Sequence, residues 1–306
     1  MSGTADVKNI PLAISLKIAQ SIAFTLMYAA IKLAGPVPTG EVVFFRGFFA
    51  LVPLLVWTTF TVGPLEAIRT ERPSYHVVRS AVGVAAMFTN FTALKLLPLA
   101  TVTAFSFMQP IFAVMLAALF LHEKVGRYRW SAVLIGFLGV LLMIEPHGGL
   151  AALVALHLSR GVTYALLFSF LSAVVVVWIR QMSTTERSEA IVFYFMSACA
   201  LAGAVVMIWY HAALSFWPAF WLVICGLVGG TGQIFMTYSY RFAEPSLLAP
   251  FDYVAMVWAM IVGYFVFGEM PAALVLWGAG IVIVAGVFIA WRERRLNVEL
   301  PIEPMT

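Results

Sequence analysis

Residues 98–123 read PLATVTAFSFMQPIFAVMLAALFLHE. No charged side chain stands between Pro98 and Leu121, and the run then closes on His122-Glu123. About 20 mostly apolar residues are what a helix needs to cross a bilayer. The whole chain is written this way: 63% of its residues are hydrophobic and 10% charged, against roughly 25% charged in a soluble domain. Mean hydropathy is +0.99. So few charges cannot cover the surface of a 306-residue soluble globule, and a bilayer is the solvent that removes the difficulty.

Working outward from that run, ten stretches qualify as spans: 10–34, 40–60, 74–96, 98–121, 129–146, 152–180, 188–210, 216–241, 245–268 and 272–291. The connections are short and marked by proline or glycine, as at Gly35-Pro36-Val37-Pro38 and Glu244-Pro245, so no loop holds a soluble domain. The stretch from Ile10 to Ala34 contains Lys17 and Gln20 and reads as a span rather than a cleaved leader.

With the N-terminus in the cytoplasm, 12 of the 18 Lys and Arg fall in cytoplasmic segments, and only Lys32 and Lys95 on the opposite side. This asymmetry orients the chain with both termini cytoplasmic in a bacterial inner membrane. It also gives the net charge of +4 a topological meaning, not a nucleic-acid one. Most tryptophans, among them Trp57, Trp130, Trp178, Trp209, Trp217, Trp277 and Trp291, fall near span ends, where indoles favour the interface. Cys199 and Cys225 sit in apolar stretches and read as small buried hydrophobes, with no disulfide framework, metal site or cofactor implied.

The opening run has a counterpart. Residues 245–269, PSLLAPFDYVAMVWAMIVGYFVFGE, again begin at a proline and end on a glutamate, and a Trp-led span follows each glutamate, at Trp130 and Trp277. Glu41-Val42-Val43-Phe44-Phe45 similarly matches Glu189-Ala190-Ile191-Val192-Phe193. Five spans per half is an odd number, so equivalent helices cross in opposite directions, an architecture of alternating-access carriers. The expected fold is all-α, ten transmembrane helices as two inverted five-helix repeats around a central cavity: residues 1–146, residues 147–291, and a cytoplasmic tail 292–306.

On these residues the chain resembles the drug/metabolite transporter superfamily, in its ten-span branch with EamA-type repeats. The likeness rests on Arg79, Ala93-Leu94, Pro98-Leu99-Ala100, Gln109-Pro110, Glu123, Pro250-Phe251-Asp252-Tyr253 and Gly268-Glu269, with His122 departing from the glycine common there. The resemblance implies a basket of helices one to four and six to nine around the cavity, with helices five and ten peripheral. It leaves the substrate open.

Candidate site residues follow from polarity inside spans, where ionisable groups are rare and mostly functional. They are Arg46, Arg79, Asn90, Gln109, His157, Arg160, Tyr164, Gln233, Tyr238, Asp252 and Tyr253. Arg46 either snorkels outward or faces inward. Arg79 reads as an interfacial anchor or a cavity charge. Arg160 is placed deeper, with His157 one turn before it. Asp252 is expected to bind a substrate amine or a coupling proton, or else to pair with a basic residue such as Arg46 or Arg79. Arg79, Gly83, Ala86, Asn90 and Ala93 share one helical face, as do Gly226, Gly230, Gln233, Thr237 and Tyr240. Small residues there serve cavity or packing.

The leading functional expectation is a secondary transporter, an exporter of amino acids or similar metabolites, working as a monomer by alternating access. No Gly-Lys-Ser/Thr phosphate loop is present to couple ATP directly. Uptake of a nucleoside-like metabolite such as S-adenosylmethionine is the alternative within transport. An integral-membrane transferase is the alternative from another class, and it is disfavoured because the chain has only two aspartates, Asp6 and Asp252.

Overall fold

The computed structural model describes residues 9–61, 63–120, 127–144, 146, 159–182, 186–242, 248 and 251–299. Among them every regular element is a helix: α1 Ile10–Leu33, α2 Thr39–Thr59, α3 Pro64–Ala67, α4 Pro73–Leu96, α5 Leu99–Ser106, α6 Gln109–Phe120, α7 Arg127–Ile144, α8 Arg160–Met182, α9 Ser188–Met207, α10 Phe216–Phe242, α11 Val254–Phe267 and α12 Ala273–Glu299. Among the described residues six stretches, in α1, α2, α4, α8, α9 and α10, are long and apolar enough to cross a membrane. Outward faces carry Leu26, Phe48, Val56, Leu201, Phe265 and Val284 exposed, a surface suited to lipid and not to water.

Local chemistry sets the helix ends. The Asn9 side chain caps α1 by accepting from the Leu12 N–H. Pro38 and Pro98 stand just before α2 and α5, and Pro73 opens α4, where a missing N–H costs nothing. Gly268 ends α11 at φ 65°, a left-handed conformation glycine adopts without a Cβ clash. It turns the chain so that the Glu269 N–H bonds back to the Gly263 carbonyl at 2.9 Å.

The run 98–121, read as one span, is interrupted. α5 stops at Ser106, and Phe107 and Met108 bond to Ala104 and Phe105, a tight turn that departs from the α-helical pattern. Pro110 follows within three residues and has no N–H to continue the ladder. The second run carries a matching interruption: Phe251 and Asp252 are helical, Tyr253 lies in a turn, and α11 begins at Val254. The two breaks meet, with the rings of Phe107 and Tyr253 5.0 Å apart at 76°.

Helix pairing runs between the two ends of the chain. α1 packs on α10, α2 on α9 and α10, α4 on α8 and α9, and α5 on α8 and α11. α7 and α12 pack chiefly on each other, where a Cβ on Gly139 would come within 2.7 Å of the Gly278 carbonyl. On α10, a Cβ on Gly230 would meet the Ala50 carbonyl at 2.9 Å, and one on Gly226 the Phe45 carbonyl at 2.5 Å. These two glycines therefore serve the close approach of α2.

Candidate functional site

Five helices converge on a polar interior. Arg46, about 10 Å into α2 at 1.5 Å per residue, is 2% exposed. Its Nε donates to the Met27 sulfur at 2.9 Å, Nη1 to the Met196 sulfur at 3.3 Å, and Nη2 to the Gly229 carbonyl at 3.1 Å. It faces inward and does not snorkel. Thioethers are weak acceptors, and no carboxylate among the described residues pairs with it.

Arg79 is likewise buried, turned into the bundle from α4 instead of anchoring at the surface. Its guanidinium lies 3.8 Å from the Phe195 ring centroid, and its Nε and Nη1 have no hydrogen-bond partner among the described residues. Phe195 and Met196, which receive the two arginines, are consecutive on α9, and Cys199 one turn on lies within electrostatic reach of both guanidiniums. Asn90 completes the interior: its Nδ2 donates to the Tyr28 hydroxyl at 2.8 Å, while its buried Oδ1 has no partner among the described residues.

The other candidates separate from this centre. Gln233 and Tyr238 line a cleft between α2, α9 and α10 with Trp57, Glu189 and Thr237; the Trp57 and Tyr238 rings are 4.4 Å apart. Gln109 is half-buried at the start of α6, and Tyr164 is half-buried on α8. Asp252 and Tyr253 lie at the break before α11. The basic partner of Asp252 is Lys17, at 2.7 Å, and neither Arg46 nor Arg79. Arg160 is exposed as the first residue of α8, so the expected depth is corrected: the helix starts there. His157 lies outside the described residues, as do Glu123 and Pro250.

Ties at the two faces of the bundle were not anticipated. At the face holding the N-terminal end of α1, Glu186 accepts from the backbone N–H groups of Glu71 and Arg72 at 3.1 and 2.8 Å. It also meets His76 Nε2 at 3.0 Å. Burial pushes the Glu186 carboxyl up, but hydrogen bonds from His76, Thr70 and the two backbone amides outweigh this and hold it below the ordinary carboxylate range. At the opposite face Glu269 pairs with Lys32 and accepts the Leu99 N–H at 2.8 Å, and Lys95 bonds to the Val37 carbonyl. Sequence reading saw the Gly-Glu ending but had no signal for its partners.

A bundle with an apolar exterior, interrupted helices and buried cations defines a multi-pass α-helical membrane protein with a polar interior. The chain belongs to the EamA-like transporter family, whose model matches residues 11–145 and again 159–291. It is 27% identical over 255 residues to the S-adenosylmethionine uptake transporter of Rickettsia prowazekii, covering 83% of this chain and 84% of that protein. It is 28% identical over 283 residues to the pseudopaline exporter CntI of Pseudomonas aeruginosa, covering 90% and 94%. A solved crystal structure matches 93% of this chain and 98% of its own at a TM-score of 0.64 and 17% identity, a likeness of fold. The protein is a transporter, as expected, and the transferase alternative falls.

Proposed function

We propose that the chain is a ten-span carrier of two inverted five-helix halves, with both termini cytoplasmic in an inner membrane. We propose further that it moves small amino-acid-type metabolites by their carboxylate. The single observation that carries the cargo reading is the pair of buried guanidiniums, Arg46 and Arg79, with no carboxylate among the described residues to neutralise them. A charge in a low-dielectric interior is costly unless paired, and a guanidinium matches a carboxylate in a two-pronged fit. Asn90, whose buried oxygen has no partner among the described residues, suits the cargo's ammonium or another donor.

Two features support the inverted halves. Exchanging the halves maps α1–α10 onto α8–α4, and α2–α10 onto α9–α4, and all four contacts are present. Phe107 and Tyr253, 146 positions apart, touch at the two helix breaks, the contact expected of equivalent positions beside a pseudo-two-fold axis. Carriers of this design hold cargo near such breaks.

A Rickettsia relative is named for S-adenosylmethionine uptake, and that compound has a free amino-acid carboxylate, so it belongs to the same cargo class. The named relatives import and export, and the reading assigns cargo without direction.

The test is counterflow in proteoliposomes preloaded with unlabelled cargo, comparing methionine and S-adenosylmethionine with methioninamide and decarboxylated S-adenosylmethionine. Carboxylate forms are expected to exchange and the other two to be excluded. Equal exchange of both sets, or none of either, sinks the cargo reading.

A further inference from the structure

Arg46 stands in a seam between α2, α9 and α10, and the seam continues past it. On α9, Val192 lies one turn and Glu189 two turns from Met196, whose sulfur receives Arg46, and the three share one face of the helix. On α10, Gln233 lies one turn from Gly229, whose carbonyl receives Arg46, and Thr237 one turn further. Val192, Glu189, Gln233 and Thr237 all line the narrow cleft that Trp57 and Tyr238 also border. The cleft therefore begins one turn from the partners of Arg46 and runs toward the face where α9 begins. Glu189 is reached about 10 Å along α9 at 1.5 Å per residue.

Three polar groups of the cleft have no partner among the described residues. Gln233 is 9% exposed, and only its main-chain carbonyl is engaged, by Thr237. The Glu189 carboxylate is half-buried, and its neighbour Arg187 turns away to Glu66 at 3.0 Å. The third is the buried indole N–H of Trp57. A place in the first turn of α9 favours a carboxylate at Glu189, but does not account for its opening onto a cleft. Glu41, the repeat counterpart, holds the equivalent place on α2 and is sealed, with its carboxylate accepting the Ala212 N–H.

We infer that this cleft is a second binding subsite, for a cationic group at the far end of the cargo, with Glu189 as its counter-charge. The near end of that cargo is the carboxylate of the preceding reading, on which the assignment rests. Arg46 and Glu189 bracket the molecule, guanidinium on carboxylate and carboxylate on cation. The α-ammonium of an amino acid is one carbon from its carboxylate and cannot span two turns of helix. An ammonium, guanidinium or sulfonium on the side chain can. The Gln233 oxygen accepts from an N–H cation, and the rings of Trp57 and Tyr238 offer faces to all three. The cleft encloses about 10 Å³ in this state, room for one water. Trp57 also borders a hollow of about 270 Å³ between α1, α2 and α10, and a swing of its ring into that hollow admits the end of the cargo.

Reconstituted full-length protein is assayed by counterflow with pairs that share a carboxylate and differ in the distal charge: lysine against norleucine, and S-adenosylmethionine against S-adenosylhomocysteine. The charged member of each pair is expected to exchange better by about tenfold or more, the weight of one charged hydrogen bond. That preference is expected to collapse in Glu189→Gln and to persist in Glu189→Asp. Equal exchange of charged and neutral members by the wild type, or a preference that survives in Glu189→Gln, overturns the inference. Melting in detergent supplies a readout without transport. Decarboxylated S-adenosylmethionine, a cation with no carboxylate, is expected to raise the melting temperature of the wild type and not that of Glu189→Gln. No shift in the wild type, or the same shift in both proteins, also defeats the subsite. If no member of either pair exchanges, the carboxylate reading fails, and the melting shift still decides the cleft.

Discussion

Arg46 is held by two thioethers and one carbonyl, which satisfies its geometry but not its charge. Replacing a buried charge by an apolar side chain of similar size is often neutral or stabilising. Arg46→Met is therefore expected to keep or raise the melting temperature in detergent while lowering carboxylate exchange at least about tenfold, since a hydrogen bond to a charged group is worth about 1.5–3 kcal/mol. Arg46→Lys keeps the charge without the planar fork and is expected to fall between. Unimpaired exchange by Arg46→Met would remove Arg46 from the site. Glu186 gives a residue-scale prediction of a different kind. Its carboxyl is held below its ordinary value in the folded protein, so its contribution is present above the unfolded pKa and is lost as pH falls through the folded one. Wild-type melting temperature should drop as pH falls below about 4.3, the ordinary glutamate value. Glu186→Gln should start lower at neutral pH and fall less steeply across that window. Parallel curves for the two proteins would show that the clasp contributes nothing.

Among elements, the contact of α2 with α9 is closest at Gly203, where a Cβ would lie 2.6 Å from Phe44 Cα and 2.7 Å from the Gly40 carbonyl. Backbone cannot rotate away as a side-chain tip can. Gly203→Ala is thus expected to cost about 1–3 kcal/mol by overpacking, read as a lower melting temperature, whereas Gly280→Ala, with open space around it, should be silent. Equal melting for both variants would contradict the α2–α9 packing. Element existence was legible because apolar length is written locally: α1, α2, α4, α9 and α10 begin and end within a few residues of the stretches read from sequence. The break at Phe107 was signalled only by Gln109-Pro110, and apolar continuity concealed it. Arg46 and Asn90 stood out as polar groups in apolar runs. Their partners Met27 and Met196 did not, since a methionine that accepts from a guanidinium reads like any other core residue. Lys17–Asp252 and Lys32–Glu269 join positions more than two hundred residues apart, and no local pattern encodes such a pairing.

At the scale of the whole molecule, the two faces are tied by different bonds. Glu186 gathers Glu71, Arg72 and His76 at the face where α1 begins. Glu269 gathers Lys32 and the first N–H of α5 at the other. A carrier that alternates must release one set while keeping the other, so weakening one set biases the population toward opening at that face. Ala34 lies just past α1 at the Glu269 face and is 2% exposed, and both native cysteines are buried. In an Ala34→Cys background, Glu269→Gln is expected to speed labelling by a membrane-impermeant maleimide about tenfold, the shift that corresponds to about 1.4 kcal/mol. Glu186→Gln in the same background loosens the opposite face and should leave that labelling unchanged or slower. If both variants speed it equally, the ties act as general staples of the fold and not as alternating latches, because a loosened bundle opens everywhere whereas a two-state carrier opens one face at the expense of the other.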